Sequence, residues 1–446
     1  MAGVFKAYDI RGLYEKDLTE EMAYKIGRAF VTYLGCKRVL VGKDTRLSTP
    51  SLSESLIKGI TDQGADVLDI GLSTTDMFYY AENLYGYESG IMVTASHNPG
   101  KYNGFKLIRE KAAPIGAGSG IEEIEKIFHE NNFKDPEKKG TVSYVENTVD
   151  KFVEFVHSYT DMKSIKPLRV VMDAGNGMAG FVAPKMFANT PIEVIPLFFE
   201  LDGSFPNHEA NPLLEENRQD LIKKVKETKA DFGIGFDGDS DRCFVVDNNG
   251  NFIDGDFLTG ILSVSVLEKN PNGIVFYDVR CSRYTKDMIE KHGGRPFMWM
   301  VGHALSKPKM KELGAVFGGE VSGHYYFFFE DYHADNSYLP VFLLAEMISK
   351  QNKTLSELMA EKENYFISGE INSTVENPDQ IIKEIEEKYG NKGEIVRIDG
   401  LSIVSDKWWL NMRKSNTEPL LRLNCEADTK ENMEKLRDAL LAIIRK

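Results

Sequence analysis

The run RVLVGKDTRLSTPSLSESLIKGITDQGADVLDIG, residues 38–71, decides the fold. It opens on a short apolar strand, passes through a polar turn into a helical segment, and closes on a second apolar strand. The pattern returns twice. LRVVMDAGNGMAGFVAPKMFANTPIEVIPLF occupies residues 168–198 and GIVFYDVRCSRYTKDMIEKHGGRPFMWM residues 273–300. Short β-branched runs alternating with helical segments predict βαβ units on largely parallel sheets. Three copies predict three related, mixed α/β domains.

The tail reads differently. PDQIIKEIEEKYG (378–390) predicts a helix ending at Gly390, and strands follow near WWLNMRKS and PLLRLNCEA. A last helix is predicted from about Asp428, with Glu431 three residues on completing a capping box. This is a small α+β domain. A chain of 446 residues exceeds one compact core, since a domain takes roughly 100–200 residues. The expected domains are 1–150, 151–250, 251–363 and 364–446.

The formal net charge of −14 argues against nucleic acid and anionic membrane as partners. No apolar run reaches the roughly 18 residues of a membrane span. The opening MAGVFKAYDIRG shows no basic-then-apolar leader, so a cytoplasmic protein is expected. Cys36, Cys243, Cys281 and Cys425 are scattered, without metal-ligand spacing, and are read as reduced thiols.

Chemistry concentrates in four stretches. Asp237-Gly238-Asp239-Ser240-Asp241-Arg242 follows an apolar strand segment and puts three carboxylates at alternate positions. On an extended loop these share a side, and their repulsion calls for a cation. Hard oxygen donors suit Mg²⁺ or Ca²⁺. An EF-hand is excluded, because Arg242 stands where its glycine should be and Asn248 where its glutamate should be. The bland alternative is a solvated acidic turn. In Thr94-Ala95-Ser96-His97-Asn98-Pro99, a serine just beyond a strand end is exposed enough to act as nucleophile or phosphate carrier, and Lys106 follows in YNGFKL. In Gly319-Glu320-Val321-Ser322-Gly323-His324, Glu320 and Ser322 share a face and suit sugar hydroxyls. Arg413-Lys414-Ser415-Asn416-Thr417 offers a guanidinium, hydroxyls and an amide that suit a phosphate cradle; the bland alternatives for these last three stretches are a simple turn, a glycine-rich turn and a basic surface loop. A fifth stretch competes. Gly175-Asn176-Gly177-Met178-Ala179-Gly180, with Glu200 beyond, has the parts of a dinucleotide fingerprint. Its bland alternative is a tight turn with close helix–strand packing, which is preferred because no other nicotinamide-enzyme feature accompanies it.

Together these residues resemble the α-D-phosphohexomutase superfamily, in its phosphomannomutase/phosphoglucomutase branch. The resemblance spans the chain in the family's order: Tyr8-Asp9-Ile10-Arg11-Gly12, Gly42-Lys43-Asp44-Thr45-Arg46, TASHNP, DGSFPNHEANPLLEEN, DGDSDR, DVRCSR…MWMVGH, GEVSGH and RKSNTEP. It implies four domains around a central cleft and the interconversion of hexose 1- and 6-phosphates of mannose or glucose. It further implies a phosphorylated Ser96, Mg²⁺ on Asp237, Asp239, Asp241 and the phosphoserine, and a hexose 1,6-bisphosphate as intermediate and activator. By matched position, Lys106 and His324 assist proton transfer, and Arg11 and Arg242 lie near the transferring group. Glu320 and Ser322 read sugar hydroxyls. Arg413, Ser415, Asn416 and Thr417 hold the non-reacting phosphate. Tyr8, Arg280, Gly302 and His303 match other substrate contacts. Arg280 stands where the branch often has Lys, and Ala95, Val301 and Val321 also depart from its usual residues. The partners expected are small sugar phosphates. A monomer is expected, with a dimer as the alternative. The rival readings are a phosphoglucosamine mutase, whose usual Gln and Gly at positions 321 and 416 are absent here, and a catalytically silent sugar-phosphate binding protein.

Overall fold

The computed structural model describes residues 3–414 and 420–446, with the backbone alone at His303. The chain divides into two compact units. The first comprises Met1–Ile253, Lys307–Glu312 and Ser322–Leu355, and the second Asp254–Ser306, Leu313–Val321 and Ser356–Lys446.

All three expected βαβ units are present. The first runs Arg38–Lys43, helix Thr49–Asp62, Asp66–Leu72; the second Leu168–Asp173, helix Ala179–Phe187, Ile192–Leu197; the third Ile274–Asp278, helix Arg283–Lys291, Arg295–Trp299. In each, the two strands pair in parallel. A further parallel strand joins the opposite side of the leading strand: Ser89–Val93, Phe232–Phe236 and Phe317–Gly319 respectively. The leading strand is therefore central each time, as a right-handed crossover and its neighbour require. The sheets are more mixed than the repeats alone suggest. In the first unit, Tyr102–Arg109 pairs antiparallel with Ser89–Val93, and Cys243–Asp247 antiparallel with Phe232–Phe236.

This topology positions the chemistry. The serine loop follows Ser89–Val93, the aspartate loop follows Phe232–Phe236, and the GEVSGH loop follows Phe317–Gly319. All three are the same loop of the repeat, at the carboxyl end of the third parallel strand, where open α/β sheets bind ligands.

In the second unit, Phe366–Ile367, Leu420–Ala427, Trp408–Lys414, Leu401–Val404 and Glu394–Val396 form an antiparallel sheet in that order. Helices Pro378–Tyr389 and Lys430–Ile444 bury Ile385, Leu440 and Ile443 with Leu401, Leu410 and Leu423 of the sheet. The last helix starts one residue later than expected. Thr429 is its cap and accepts from the Asn432 amide, so Glu431 cannot complete a box and pairs with Lys435 instead.

Helix Glu20–Leu34 crosses Thr49–Asp62 at two glycines. A Cβ on Gly59 would lie 2.0 Å from the Tyr24 carbonyl, and one on Gly27 2.5 Å from that of Leu56. Backbone lies against backbone there, so neither helix can yield locally. Among the described residues no helix is long and apolar enough to cross a membrane. The four cysteines are free, three of them buried.

Gly59→Ala is expected to lower the stability of the first unit by about 1–3 kcal/mol through overpacking. Gly35→Ala, at a left-handed helix cap with open space around it, should cost no more than about 1 kcal/mol. Urea unfolding of the two variants checks the difference.

Candidate active site

Ser96 has φ +50, a left-handed backbone that a non-glycine residue adopts at a cost. Contrary to the exposure expected of a serine beyond a strand end, the side chain is buried, because the aspartate loop packs over it, and its hydroxyl lies 2.9 Å from Asp237 Oδ2 and 3.2 Å from His97 Nδ1. Burial, then the charges of Arg242 and Arg11, push the His97 imidazole well below its usual range, so it is neutral. Arg11 donates to Asn98 Oδ1 at 2.6 Å and pairs with Asp9, which sets its charge beside the serine loop.

The three aspartates form a buried cluster, which excludes a solvated turn. Each offers a carboxylate oxygen within 4.8 Å of the others. Asp237 Oδ1 accepts from the amides of Asp241 and Arg242, both at 3.2 Å. Asp239 Oδ2 accepts from Thr75 Oγ1 at 2.5 Å, and Lys106 reaches Asp239 Oδ2 at 2.6 Å and Asp241 Oδ2 at 2.5 Å. Burial, with the Asp241 and Asp239 charges, pushes the Asp237 carboxyl well up. Burial acts the same way on Asp239 and Asp241, but the Lys106 ammonium outweighs it and holds both carboxyls below the usual range. Burial alone would discharge Lys106; its two carboxylate partners instead drive its pKa well up. Asp239 Oδ1 and Asp241 Oδ1 remain buried with no hydrogen-bond partner. Two orphaned hard oxygens beside a third carboxylate fit a hard divalent cation.

Behind this cluster, Arg242 Nε donates to His324 Nε2 at 3.1 Å, while His324 Nδ1 lies 2.9 Å from Asp335 Oδ1. Nε2 therefore accepts and Nδ1 carries the proton. Lys307 neutralises Asp335 at 2.5 Å and lies over the Tyr79 ring. Tyr8 and Ser322, also in the first unit, are half-buried.

The second unit gathers another set. Arg280 is bidentate on Asp278 at 3.0 and 2.7 Å, with Glu320 Oε2 at 4.0 Å from its Nη2. Ser306 Oγ donates to Glu320 Oε1 at 2.9 Å. Arg413 is buried against Glu370 at 2.6 Å and Asp399 at 3.5 Å. Burial and then the Arg280 charge pull the Arg413 guanidinium below its usual pKa. Gly302 has φ +128. His303 opens helix His303–Leu313. Ser415, Asn416 and Thr417 lie outside the described residues.

Comparison with known proteins agrees with the domain organisation. Residues 2–135, 142–250 and 254–365 match domains I, II and III, the alpha/beta/alpha domains, of phosphoglucomutase/phosphomannomutase, and residues 370–443 match its C-terminal domain. The chain belongs to the phosphoglucomutase/phosphomannomutase family. A phosphomannomutase of Escherichia coli is 41% identical over 454 residues, covering 99% of both chains. Phosphohexose mutases of Xanthomonas campestris pv. campestris are 42% identical over 427 residues, covering 95% of this chain and 94% of theirs. The crystal structure of a phosphoglucomutase/phosphomannomutase family protein from Burkholderia thailandensis superposes with a TM-score of 0.88 at 35% identity, covering 99% of this chain and 97% of that one. This protein is a phosphohexomutase, an intramolecular phosphotransferase.

The competing glycine motif is absorbed by packing. A Cβ on Gly177 would meet the Gly238 carbonyl at 2.7 Å, and one on Gly180 the Phe199 carbonyl at 2.1 Å. Met178 donates its amide to the Gly238 carbonyl. The space a pyrophosphate would need is filled by the aspartate loop. Glu200 is exposed and offers only its carbonyl, to Asn176. Sequence reading missed Thr75, Asp335 and Lys307. Thr75 caps no motif, and Asp335 lies on a strand in YHADNS, where only its alternation into the core marks it.

Asp76, next to Thr75, is buried, and burial pushes its carboxyl up to about 7 against the donors Thr74, Ser337 and Met77. A carboxyl raised on folding stabilises the fold fully below its unfolded value of about 3.9. That contribution declines as pH rises and is gone above about 7. Asp76→Asn, which cannot ionise, should flatten the stability profile across this window, as read from urea midpoints at each pH.

Proposed function

We propose that the protein interconverts hexose 1-phosphates and hexose 6-phosphates of mannose and glucose through a phosphorylated Ser96 and a hexose 1,6-bisphosphate. The observation that carries this reading is the Ser96 hydroxyl, held in a left-handed loop 2.9 Å from a carboxylate of the three-aspartate cluster. We assign the domains to residues 1–150, 151–250, 251–363 and 364–446.

In the first transfer, the bond from phosphorus to Ser96 Oγ breaks as a bond to the sugar's free hydroxyl forms, and the hydroxyl proton passes to a base. The bisphosphate turns round, and its other phosphoryl group returns to Ser96 Oγ. Mg²⁺, held by Asp237, Asp239, Asp241 and a phosphoserine oxygen, supplies charge neutralisation on the transferring group when bound. Arg11 and Arg242 add positive charge beside it. Lys106, kept charged by two carboxylates, assists proton transfer together with His324. His324, with Nδ1–H on Asp335, keeps Nε2 as its basic nitrogen. Arg413, Ser415, Asn416 and Thr417, with Arg280, hold the phosphate that is not reacting. Tyr8, Gly302 and His303 complete the substrate contacts.

Ser96→Ala should lose most mutase activity, and at least a fraction of protein from cells should carry one phosphoryl group that maps to Ser96 by peptide mass. Full turnover in Ser96→Ala refutes the phosphoserine route.

Glu320 and Ser322 read the sugar's O3 and O4 in this scheme. Glucose and mannose differ only at C2, so both satisfy the pair, whereas galactose inverts O4. Losing the sugar's O4 hydroxyl as a donor to the buried Glu320 carboxylate costs roughly 1–3 kcal/mol, or about tenfold or more in kcat/KM. Galactose 1-phosphate should therefore be the poor substrate of the three, and equal use of it, or rejection of mannose 1-phosphate, removes the assignment.

A further inference from the structure

Arg46 is completely buried, 1% exposed, and touches none of the groups assigned to chemistry above except the backbone of Ser96. Its guanidinium has five N–H donors, and every one is used. Nη2 donates to the carbonyls of Ser96 at 2.6 Å and Asn98 at 2.7 Å. Nη1 donates to those of Pro99 at 2.9 Å and Tyr102 at 3.1 Å. Nε donates to Asp44 Oδ2 at 3.0 Å. Asp44 is fixed in turn by the Arg46 amide and the Thr49 hydroxyl. The four carbonyls all lie on the segment that carries Ser96 and leads into strand Tyr102–Arg109, which holds Lys106.

Two packing contacts lock the arrangement from the other side. The Ser96 carbonyl rests against Gly238 of the aspartate loop, where a Cβ would come within 2.5 Å of it. Gly203 lies against Arg46 itself, where a Cβ would meet the Arg46 Cα at 2.5 Å and the Thr45 carbonyl at 2.3 Å, and the Phe205 ring lies 5.1 Å from the guanidinium. The Ser96 carbonyl is thus held between a planar cation and a loop that has no room to retreat.

We infer that Arg46 is the positioning residue for the phosphoryl carrier: its five-donor fork fixes the left-handed backbone of Ser96 and so aims the Ser96 hydroxyl at the reacting group. This inference rests on the proposed role of Ser96. The same geometry calls for arginine at this position. A lysine has three donors on one nitrogen and cannot span four carbonyls and a carboxylate. The charge would be kept and the geometry lost.

The test compares Arg46→Lys with the wild type and with Ser96→Ala. Misplacing a reacting group without disturbing the substrate's other anchors should lower kcat by about tenfold to about a hundredfold while KM for glucose 1-phosphate stays within about twofold. Hydrogen exchange should accelerate at the amides of residues 96–104 and stay at the wild-type level in the rest of the chain. Gly203→Ala, which displaces Arg46 without removing it, should give the same signature and decides the matter if Arg46→Lys does not fold. Wild-type kcat in a folded variant, or faster exchange throughout the first unit with kcat and KM changed together, overturns the inference. Full turnover in Ser96→Ala would instead remove the phosphoserine reading. Loss of turnover in Ser96→Ala with wild-type kcat in Arg46→Lys removes only the role given to Arg46.

Discussion

Three carboxylates with essentially no exposed surface must be held together at the end of one strand. Burying an isolated charge is severely unfavourable, and three like charges within 4.8 Å are worse. The fold meets this with several partial remedies. Asp237 is pushed toward its neutral form and takes two backbone amides. Asp239 and Asp241 share Lys106, and Asp239 adds the Thr75 hydroxyl. Two oxygens are left over. The cluster is therefore compensated well enough to fold and still offers oxygens that could hold a cation.

The partners that compensate the cluster come from different parts of the repeat, and this explains why the repeats must pack closely. Lys106 belongs to a strand of the first repeat, the aspartates to the second, and Thr75 to the helix after the first βαβ unit. A small shift between the sheets would separate Lys106 from its carboxylates and leave several buried charges exposed to one another. Close packing is secured by backbone contacts at glycines, which unlike side-chain contacts have no rotamer to adjust.

The candidate site residues are read from the sequence as polar residues clustered where strands end. Alternating apolar runs announced the strands, and glycine, proline and aspartate announced the loops. The three βαβ units followed from the same periodicity. What periodicity does not encode is which polar residue serves another. Arg46 stands in a quoted motif, but nothing local distinguishes it from a surface arginine of a turn. Its partners are carbonyls, and carbonyls have no identity in a sequence. Asp335 and Lys307 are hidden for a related reason: each is defined by a neighbour far away in the chain. The cap of the last helix erred by one residue because Asp428 and Thr429 are both good caps, and the choice between them is made by which amide each can reach.

The glycine motif at residues 175–180 shows how tertiary context decides between readings that sequence leaves equal. In a dinucleotide site the glycines make room for a ligand's pyrophosphate. Here the Gly238 carbonyl occupies that room and takes the Met178 amide. The same Gly238 also gives way to the Ser96 carbonyl on its other side. One residue of the aspartate loop is thus clasped by the first two repeats at once, with no side chain from any of the three participating. The glycines of the second repeat are accordingly part of the apparatus that holds the carboxylates to the serine. A substitution at Gly177 would reach the active site through two backbone contacts although it touches no catalytic group.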